Sequence, residues 1–286
     1  MIGRCVVAAG FVMLSGCATV GGAPPPPPAP AAPPPAMQYL YGSGEAAAAS
    51  VQAYAMLTDQ VAGRMARRDS AVLAAGATLE HPRFADCAGK PPAVVFDMDE
   101  TLALNLGYEY QDARTGAAYD AARWERWERT GVHAIAAVPG ARAALDALRR
   151  AGVTPVINSN RSAANAESTV AALSAAGLGA FRHGETLFLK GDVDGKSAKD
   201  ARRTEIAGHF CVVALAGDQL GDFSDLFEGD AAARRSAAQS PAISGMWGRG
   251  WFVLPNPVYG AGVSGDWDQI FPVNKRWADP ASNGGN

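Results

Sequence analysis

Apolar runs that end abruptly in polar or acidic residues recur along the last two thirds of the chain. Four of them begin near residues 93, 153, 211 and 250 and are rich in apolar and β-branched side chains, which is typical of buried strands. Residues 184–189 predict a further short strand. Segments with apolar residues at helical spacing lie between the runs and predict helices, for example over 139–150 and 163–176. This alternation indicates an α/β fold with a Rossmann-like, three-layer parallel sheet and a site along its carboxyl edge.

Two segments outside this alternation predict an added helical subdomain. Residues from about 44 to 80 are rich in alanine and predict one or two amphipathic helices that cover the sheet. Their apolar face would comprise Val51, Tyr54, Leu57, Val61 and Met65. In the second segment, about 104–138, Trp124 and Trp127 are predicted to share one face of a helix. Core packing is the ordinary explanation for these rings, and a wall on which a substrate base stacks is the alternative.

Two pairs of acids follow predicted strands. Asp97 and Asp99 come directly after the apolar run over 93–96, and strand alternation points both side chains the same way. Carboxylates this close repel unless a cation lies between them or one of them holds a proton. Asp218 and Asp222 follow the run over 210–216, and such hard oxygen ligands suit a magnesium ion.

Two polar motifs lie between these pairs. The strand over 153–157 ends in a segment that contains Ser159, whose hydroxyl could donate to a phosphate oxygen beside backbone amides. An ordinary turn with a helix cap is the alternative. Lys196 and Lys199 open a predicted helix that runs to residue 208, where a lysine near the helix amino terminus could face an anion. A solvated surface lysine is the alternative here.

In order along the chain, these motifs resemble those of the haloacid dehalogenase (HAD) superfamily. Their form is similar to that of the class C acid phosphatases, the lipoprotein e type of DDDD phosphohydrolases. The resemblance covers about residues 40–277. It rests on Asp-x-Asp-Glu-Thr at 97–101, Ser-Asn-Arg at 159–161, Lys-Ser-x-Lys at 196–199 and Gly-Asp-x-x-x-Asp-Phe at 217–223. The chain departs from the family at Leu104 and Leu106, which flank Asn105 where the family usually has Asp-Asn-Ser.

The resemblance implies a role for each of these groups. Asp97 would be the nucleophile that forms an aspartyl-phosphate, and Asp99 would be the general acid and base. Mg²⁺ would be held by Asp97, the backbone carbonyl of Asp99 and Asp218, while Asp222 would orient a water of the ion. The phosphate would be held by three polar residues, Ser159, Asn160 and Lys199. Lys199 is preferred over Lys196 for this role.

The closing segment, 255–260, also resembles the family, in which its tyrosine helps to sandwich the aromatic ring of the substrate. Tyr259 is the corresponding residue here, with Trp127, or else Trp124, opposite it. A packed surface tyrosine is the alternative. Aromatic side chains near the site favour nucleoside 5'-monophosphates, or nicotinamide mononucleotide, over small sugar phosphates as substrates.

The amino-terminal residues predict a lipoprotein. Residues 1–16 have the features of a signal peptide, and the lipobox at 14–17 predicts cleavage before Cys17 and lipidation of that cysteine. An ordinary signal peptide with a chance cysteine is the alternative. Residues 17–37 would form a lipidated, proline-rich spacer, and 38–286 the acid phosphatase domain. Ala18 after the cysteine suggests the outer membrane, on its periplasmic or cell-surface face.

Composition limits the other functions. The net charge of −3 over 286 residues argues against a nucleic-acid binder that grips phosphates through a basic surface. The four histidines are scattered, which argues against a zinc enzyme or a histidine phosphatase. Cys87 and Cys211 could form a disulfide if their strands are neighbours; two small buried residues are the alternative.

The expected partners are therefore a small-molecule phosphomonoester and, through a lipid anchor on Cys17, a membrane. The sequence leaves the oligomeric state open. Two alternative functions are a non-catalytic surface lipoprotein that binds a ligand or partner, and a phosphotransferase on the same fold.

Overall fold

The computed structural model of the protein describes Met1 and residues 32–279. The predicted signal peptide, Cys17 and most of the proline-rich spacer lie outside the described residues, as do 280–286. Within the part that is described, no helix combines the length and the apolar character needed to cross a bilayer.

Five parallel strands form the central sheet. In chain order, the strands of the structure are β1 (Pro92–Phe96), β2 (Ala103–Leu104), β3 (Ala136–Ala137), β4 (Thr154–Ser162), β5 (Leu187–Lys190), β6 (Cys211–Gly217) and β7 (Trp251–Val253). The central sheet has the order β5-β4-β1-β6-β7, and β2 pairs with β3 in a separate antiparallel ribbon. The predicted parallel α/β fold and its five strands are confirmed. Because β4 and β6 flank β1, the polar residues that follow these three strands meet at one edge.

Helices lie before, between and after these strands. Within the described residues they are α1 (Pro35–Gly42), α2 (Gly44–Arg67), α3 (Leu106–Thr115), α4 (Ala121–Thr130), α5 (Ala141–Arg150), α6 (Ala166–Ala175), α7 (Asp200–His209), α8 (Ala231–Gln239) and α9 (Trp267–Ile270). Both α3 and α4 belong to the connection between β2 and β3, which is the segment predicted as the second part of the helical subdomain.

Strand alternation divides the apolar side chains between two cores, one on each face of the sheet. In β1, Val94 and Phe96 belong to one core, and Ala93 and Val95 belong to the other. Helices α2, α5 and α6 supply the first core and α7 supplies the second, which gives the three layers that were predicted. Of the five apolar side chains predicted on the α2 face, Val51 is exposed instead.

The amino-terminal helical cover is shorter than predicted. Helix α2 ends at Arg67 because Arg68 adopts the left-handed conformation, with a φ of +59°. The buried guanidinium of Arg64 fixes this end by donating from Nε to the carbonyl of Val213 at 2.6 Å. The expectation of helix as far as residue 80 is therefore wrong for residues 68–79.

Two element boundaries near the predicted site also differ from expectation. Strand β4 runs to Ser162 instead of ending at residue 157, because its last residue still pairs with Lys190 of β5. Helix α7 begins at Asp200 instead of Lys196, so that Lys199 occupies the N-cap position. The Ser-Asn-Arg motif thus lies within a strand, and not in a turn.

Cys87 and Cys211 form a disulfide, with Cα atoms 4.5 Å apart. Cys211 is the first residue of β6 and pairs with Pro92 at the start of β1. The two strands are neighbours, which was the condition for such a bond, so the structure decides between the two alternatives in favour of the disulfide. It lies at the amino edge of the sheet, opposite the edge that carries the acidic motifs.

Candidate active site

Three carboxylates meet at the carboxyl edge of the sheet. Asp97 follows β1, while Asp218 and Asp222 follow β6. One carboxylate oxygen from each residue lies within 4.8 Å of the other two. Gly217 is required beside them, because a Cβ at this position would overlap the Asp222 carboxyl group. The glycine of the Gly-Asp motif therefore makes room for the last acid of that motif.

The chemistry of this donor set fits a hard divalent cation. Burial, followed by the charge of Asp222, raises the pKa of Asp218 to about 7. Burial also raises the pKa of Asp97 well above its usual range, although the charge of Lys199 opposes this. A divalent ion among the three carboxylates would favour their ionised forms, and oxygen ligands of this kind are those that Mg²⁺ prefers.

Lys199 supplies a positive charge to the cluster. Its Nζ donates to Asp97 and, at 2.7 Å, to Oδ1 of Asp222. Burial acts to lower the pKa of this lysine, but the carboxylates of Asp222 and Asp97 outweigh it and raise the pKa. Lys196 is exposed. The structure therefore places Lys199, and not Lys196, among the acids.

The amino end of α7 is closed by a carboxylate. The backbone amides of Lys199 and Asp200 donate to Asp225 at 2.9 and 2.5 Å, and Arg203 Nη2 lies 3.2 Å from the same carboxylate. The anion at this helix terminus is therefore a carboxylate of the protein itself. Asp225 was missed in the sequence, where its only signal is its position three residues after Asp222.

Asp99 is held by a separate set of polar groups. Arg161 donates to its Oδ1 from Nη2 at 2.7 Å and from Nε at 3.0 Å. Asn105 donates from Nδ2 to the same oxygen at 3.0 Å, and its Oδ1 accepts from Arg161 Nη2 at 2.8 Å. This triangle fixes the orientation of the Asp99 carboxylate at the cavity wall. Sequence reasoning missed both partners, although Arg161 completes the Ser-Asn-Arg motif.

The two other predicted phosphate ligands occupy different positions. Asn160 lines the cavity, and its Oδ1 accepts from Arg202 Nη2 at 2.6 Å. Ser159 is fully buried; its Oγ lies 3.5 Å from Asp99 Oδ2 and accepts from the amide of Arg161. The structure thus brings Asn160 to the cavity wall and places Ser159 against Asp99.

Glu100 is a buried acid that sequence reasoning did not assign. Its carboxylate accepts from the amide of Asn105 at 2.9 Å, from the Tyr41 hydroxyl at 3.2 Å and from the Tyr259 hydroxyl. Burial, followed by the charge of Asp99, raises the pKa of Glu100 to about 8. The residue therefore joins helix α1, the first acidic motif and the closing segment of the chain.

The acidic cluster, Asp99, Asn160 and Lys199 border one cavity of about 830 Å³. Tyr259 and Trp124 line this cavity. In the part of the chain that the structure describes, Trp127 does not belong to the cavity wall. Trp127 instead donates from Nε1 to Asn105 Oδ1 at 3.3 Å, and its ring fills the space beside Gly131. Of the two tryptophans, the structure therefore places Trp124, the second choice from the sequence, at the cavity wall.

Comparison with known families and structures agrees with this geometry. Residues 44–262 match the model of HAD superfamily, subfamily IIIB (Acid phosphatase). The solved class C acid phosphatase from Bacillus anthracis is 25% identical, with a TM-score of 0.64, over 79% of this chain and 84% of that one. A structure of the class C acid phosphatase from the same organism with tungstate bound is 22% identical, with a TM-score of 0.64, over 87% of this chain and 92% of that one.

Proposed function

Because the chain belongs to the acid phosphatases of HAD subfamily IIIB, we propose that it hydrolyses nucleoside 5'-monophosphates with Mg²⁺, through an aspartyl-phosphate on Asp97. Family membership makes the chain a phosphomonoesterase that acts on a small-molecule phosphate ester, so the non-catalytic alternative is not retained. The metal, the intermediate and the nucleotide are the proposal. The observation that carries it is the cluster of Asp97, Asp218 and Asp222, two of which bind the buried ammonium of Lys199.

The ion would be held by Asp97, Asp218 and the backbone carbonyl of Asp99, with Asp222 close by. When bound, Mg²⁺ offsets the negative charge of the phosphoryl group and stabilises the charge that develops in the transition state. Lys199 is already hydrogen-bonded to the nucleophile, and from there its ammonium offsets charge on the phosphoryl oxygens. Asn160, at the cavity wall, holds a further oxygen.

The first half of the reaction transfers the phosphoryl group to the protein. A carboxylate oxygen of Asp97 attacks phosphorus as the bond to the ester oxygen breaks, and Asp99 gives its proton to the departing alkoxide. In the second half, water attacks the same phosphorus and gives a proton to Asp99, and the bond to Asp97 breaks. The products are the alcohol and inorganic phosphate. Arg161 and Asn105 hold Asp99 in place for both proton transfers, and we assign Ser159 to Asp99 rather than to the phosphate.

The substrate class rests on two rings. Tyr259 and Trp124 both border the cavity that contains the acidic cluster, and stacking on aromatic side chains contributes about 1–3 kcal/mol per base. The Tyr259 hydroxyl is bound by Glu100, which holds the ring at the wall. A nucleoside leaving group would thus gain binding energy that a small sugar phosphate cannot.

Phosphate release from the detergent-purified full chain tests the proposal. The substrates are a panel of nucleoside 5'-monophosphates, a sugar phosphate and a generic aryl phosphate, each with Mg²⁺ or with EDTA. We expect magnesium-dependent turnover that Asp97→Asn abolishes and that Asp146→Asn, a matched change at an exposed helix position, preserves. Turnover that persists in EDTA would overturn the metal assignment. Turnover of the aryl phosphate alone would overturn the nucleotide assignment.

We also propose that the protein is an outer-membrane lipoprotein anchored through Cys17. The support is the lipobox over residues 14–17 and the proline-rich spacer that follows it. Cells grown with labelled palmitate should incorporate the label into the wild-type chain and not into Cys17→Ser. An unlabelled wild-type chain would contradict the anchor while leaving the phosphatase proposal intact.

A further inference from the structure

The active-site cavity contains more negative charge than the proposed chemistry uses. Nine carboxyl groups and two lysines line it. Several of these acids have positive partners, since Lys199 contacts Asp97 and Asp222, and Arg161 contacts Asp99. The excess lies on the wall formed by α3 and α4, away from the three-carboxylate cluster. This wall and Asp97 border the same cavity.

Glu109 of α3 is the central residue of this wall. Its side chain borders the cavity although the residue is only 6% exposed. Among the described residues, no side chain or backbone group forms a hydrogen bond or an ion pair with its carboxylate. Burial, followed by the charge of Asp112, raises the pKa of Glu109 to about 7, against the opposing charge of Arg123. The Glu109 carboxyl group thus faces the cavity without a protein partner, and a positive ligand in the cavity would supply one.

The neighbouring groups show how this wall accommodates a cation. The Arg123 guanidinium lies over the ring of Tyr108, 5.1 Å from its centroid, and 2.8 Å from Asp112. One positive group of the protein is thus already held here by an aromatic ring and a carboxylate together. Trp124, Tyr119 and Glu125 continue the same combination of rings and acids along the cavity.

From these contacts we propose that the α3–α4 wall recognises a positive charge on the alcohol portion of the substrate. Among leaving groups of the same shape, those that carry a quaternary ammonium, a protonated amine or a pyridinium group would be preferred over neutral ones. The inference rests on the proposed phosphatase function and specifies which leaving groups that site selects. Glu109 contributes the charge, and Trp124 and Tyr119 contribute aromatic faces.

An organic cation fits this wall better than a second metal ion does. In the described part of the chain, the group of acids whose ligand atoms come close enough to hold a metal is that of Asp97, Asp218 and Asp222. Glu109 does not belong to it. Aromatic rings offer no ligand to a hard divalent ion but attract organic cations through their faces.

A pair of substrates with the same shape and different charge tests the inference without any mutation. Choline phosphate and 3,3-dimethylbutyl phosphate differ in that a quaternary nitrogen replaces a carbon. At a pH above the Glu109 pKa, we expect kcat/KM to be at least about tenfold higher for choline phosphate. A ratio near one, with both esters or an aryl phosphate hydrolysed, would overturn the inference alone. Failure to hydrolyse any phosphomonoester would overturn the proposed function on which it rests.

Glu109→Gln then assigns the preference to this residue. The substitution keeps the side-chain shape and removes its charge, so the choline-to-dimethylbutyl ratio should fall toward one. Glu80→Gln, which removes a charge at an exposed position outside the cavity wall, should leave the ratio unchanged. A ratio that survives in Glu109→Gln would overturn the role of Glu109. Because the readout is a ratio within one protein preparation, partial unfolding of a variant does not mimic the expected result.

Discussion

Arg161 holds Asp99 from the neighbouring strand, with two hydrogen bonds to Oδ1 at 2.7 and 3.0 Å. Arg161 lies near the end of β4 and Asp99 just after β1, and these strands are adjacent in the sheet. The planar guanidinium also reaches Asn105, which itself donates to Asp99. The general acid of the proposed mechanism is thus positioned by groups whose hydrogen bonds, in the described part of the chain, do not involve Asp97, Asp218 or Asp222.

Replacing Arg161 should impair protonation of the leaving group. Lysine offers a single point of charge and cannot keep the forked contact with Asp99 and Asn105. For Arg161→Lys we expect kcat to fall by about 10-fold to 100-fold with alkyl phosphates, and much less with 4-nitrophenyl phosphate, whose leaving group needs little proton assistance. Arg142→Lys, at a guanidinium that contacts the carbonyl of Ala176, is the control. Equal losses on both substrates would contradict the positioning role.

Lys199 should matter to stability as well as to activity. Its ammonium is buried between Asp97 and Asp222, so Lys199→Met leaves two buried carboxylates without their partner. We expect the free energy of unfolding in EDTA to fall by about 2–4 kcal/mol, measured by urea denaturation. Lys196→Met, at an exposed position, should change it by less than about 0.5 kcal/mol. Similar stabilities for the two variants would show that the buried contacts contribute little.

The disulfide should stabilise the fold without affecting the chemistry. Cys87 and Cys211 are separated by 124 residues in the chain, and closing a long loop restricts the unfolded state. The double variant Cys87→Ala with Cys211→Ala should lose about 2–5 kcal/mol in urea denaturation. Its kcat should remain within twofold of the wild-type value, because the bond lies at the opposite edge of the sheet. A dithiothreitol-treated wild type that is as stable as the oxidised protein would refute this prediction.

Glu109 should make stability depend on pH in a defined window. Its pKa of about 7 in the folded protein exceeds its ordinary value of 4.5, so the folded state binds the proton more tightly than the unfolded state does. This contribution is fully present below about pH 4.5 and is lost as the pH rises to about 7. Asp112 and Arg123 are the charged groups that act on it with opposite sign.

Thermal unfolding of Glu109→Gln across this range should reveal the difference. As the pH rises from about 4.5 to about 7, the free energy of unfolding of the variant should increase relative to that of the wild type. The expected increase is on the order of 1–2 kcal/mol after allowance for solvent screening. The stability of Glu80→Gln should differ from that of the wild type by the same amount at every pH. A constant offset between Glu109→Gln and the wild type would mean that the carboxyl group does not titrate in this window.

Local contacts explain which parts of the site could be predicted from sequence. Asp97, Asp218 and Asp222 each follow a buried strand, and the carboxyl ends of neighbouring parallel strands meet at one edge. Their proximity therefore depends only on strand identity and order. The disulfide likewise depends on β1 and β6 being neighbours in the sheet. The predicted ends of helices and strands were less accurate. Helix α2, for example, ends where Arg68 adopts a positive φ, beside the hydrogen bond from Arg64 to Val213, which lies far away in the chain.

Contacts between distant segments account for the features of the site that the sequence did not predict. Glu100 accepts from Tyr259, 159 residues later in the chain, and from Tyr41, 59 residues earlier, and nothing in the local pattern indicates either partner. Trp124 and Trp127 are equivalent by helical spacing, and only the packing of α4 places one ring at the cavity and the other beside Gly131.

The sequence by itself determined the parallel sheet, its acidic edge and the reaction class, because strand periodicity and short motifs depend on residues close together in the chain. The tertiary structure decided which lysine joins the acids, which carboxylate closes α7 and where an unpartnered Glu109 lies in the wall. Those outcomes depend on how loops and helices from separate segments pack over the sheet, and that packing is a balance of many contacts between residues far apart in sequence.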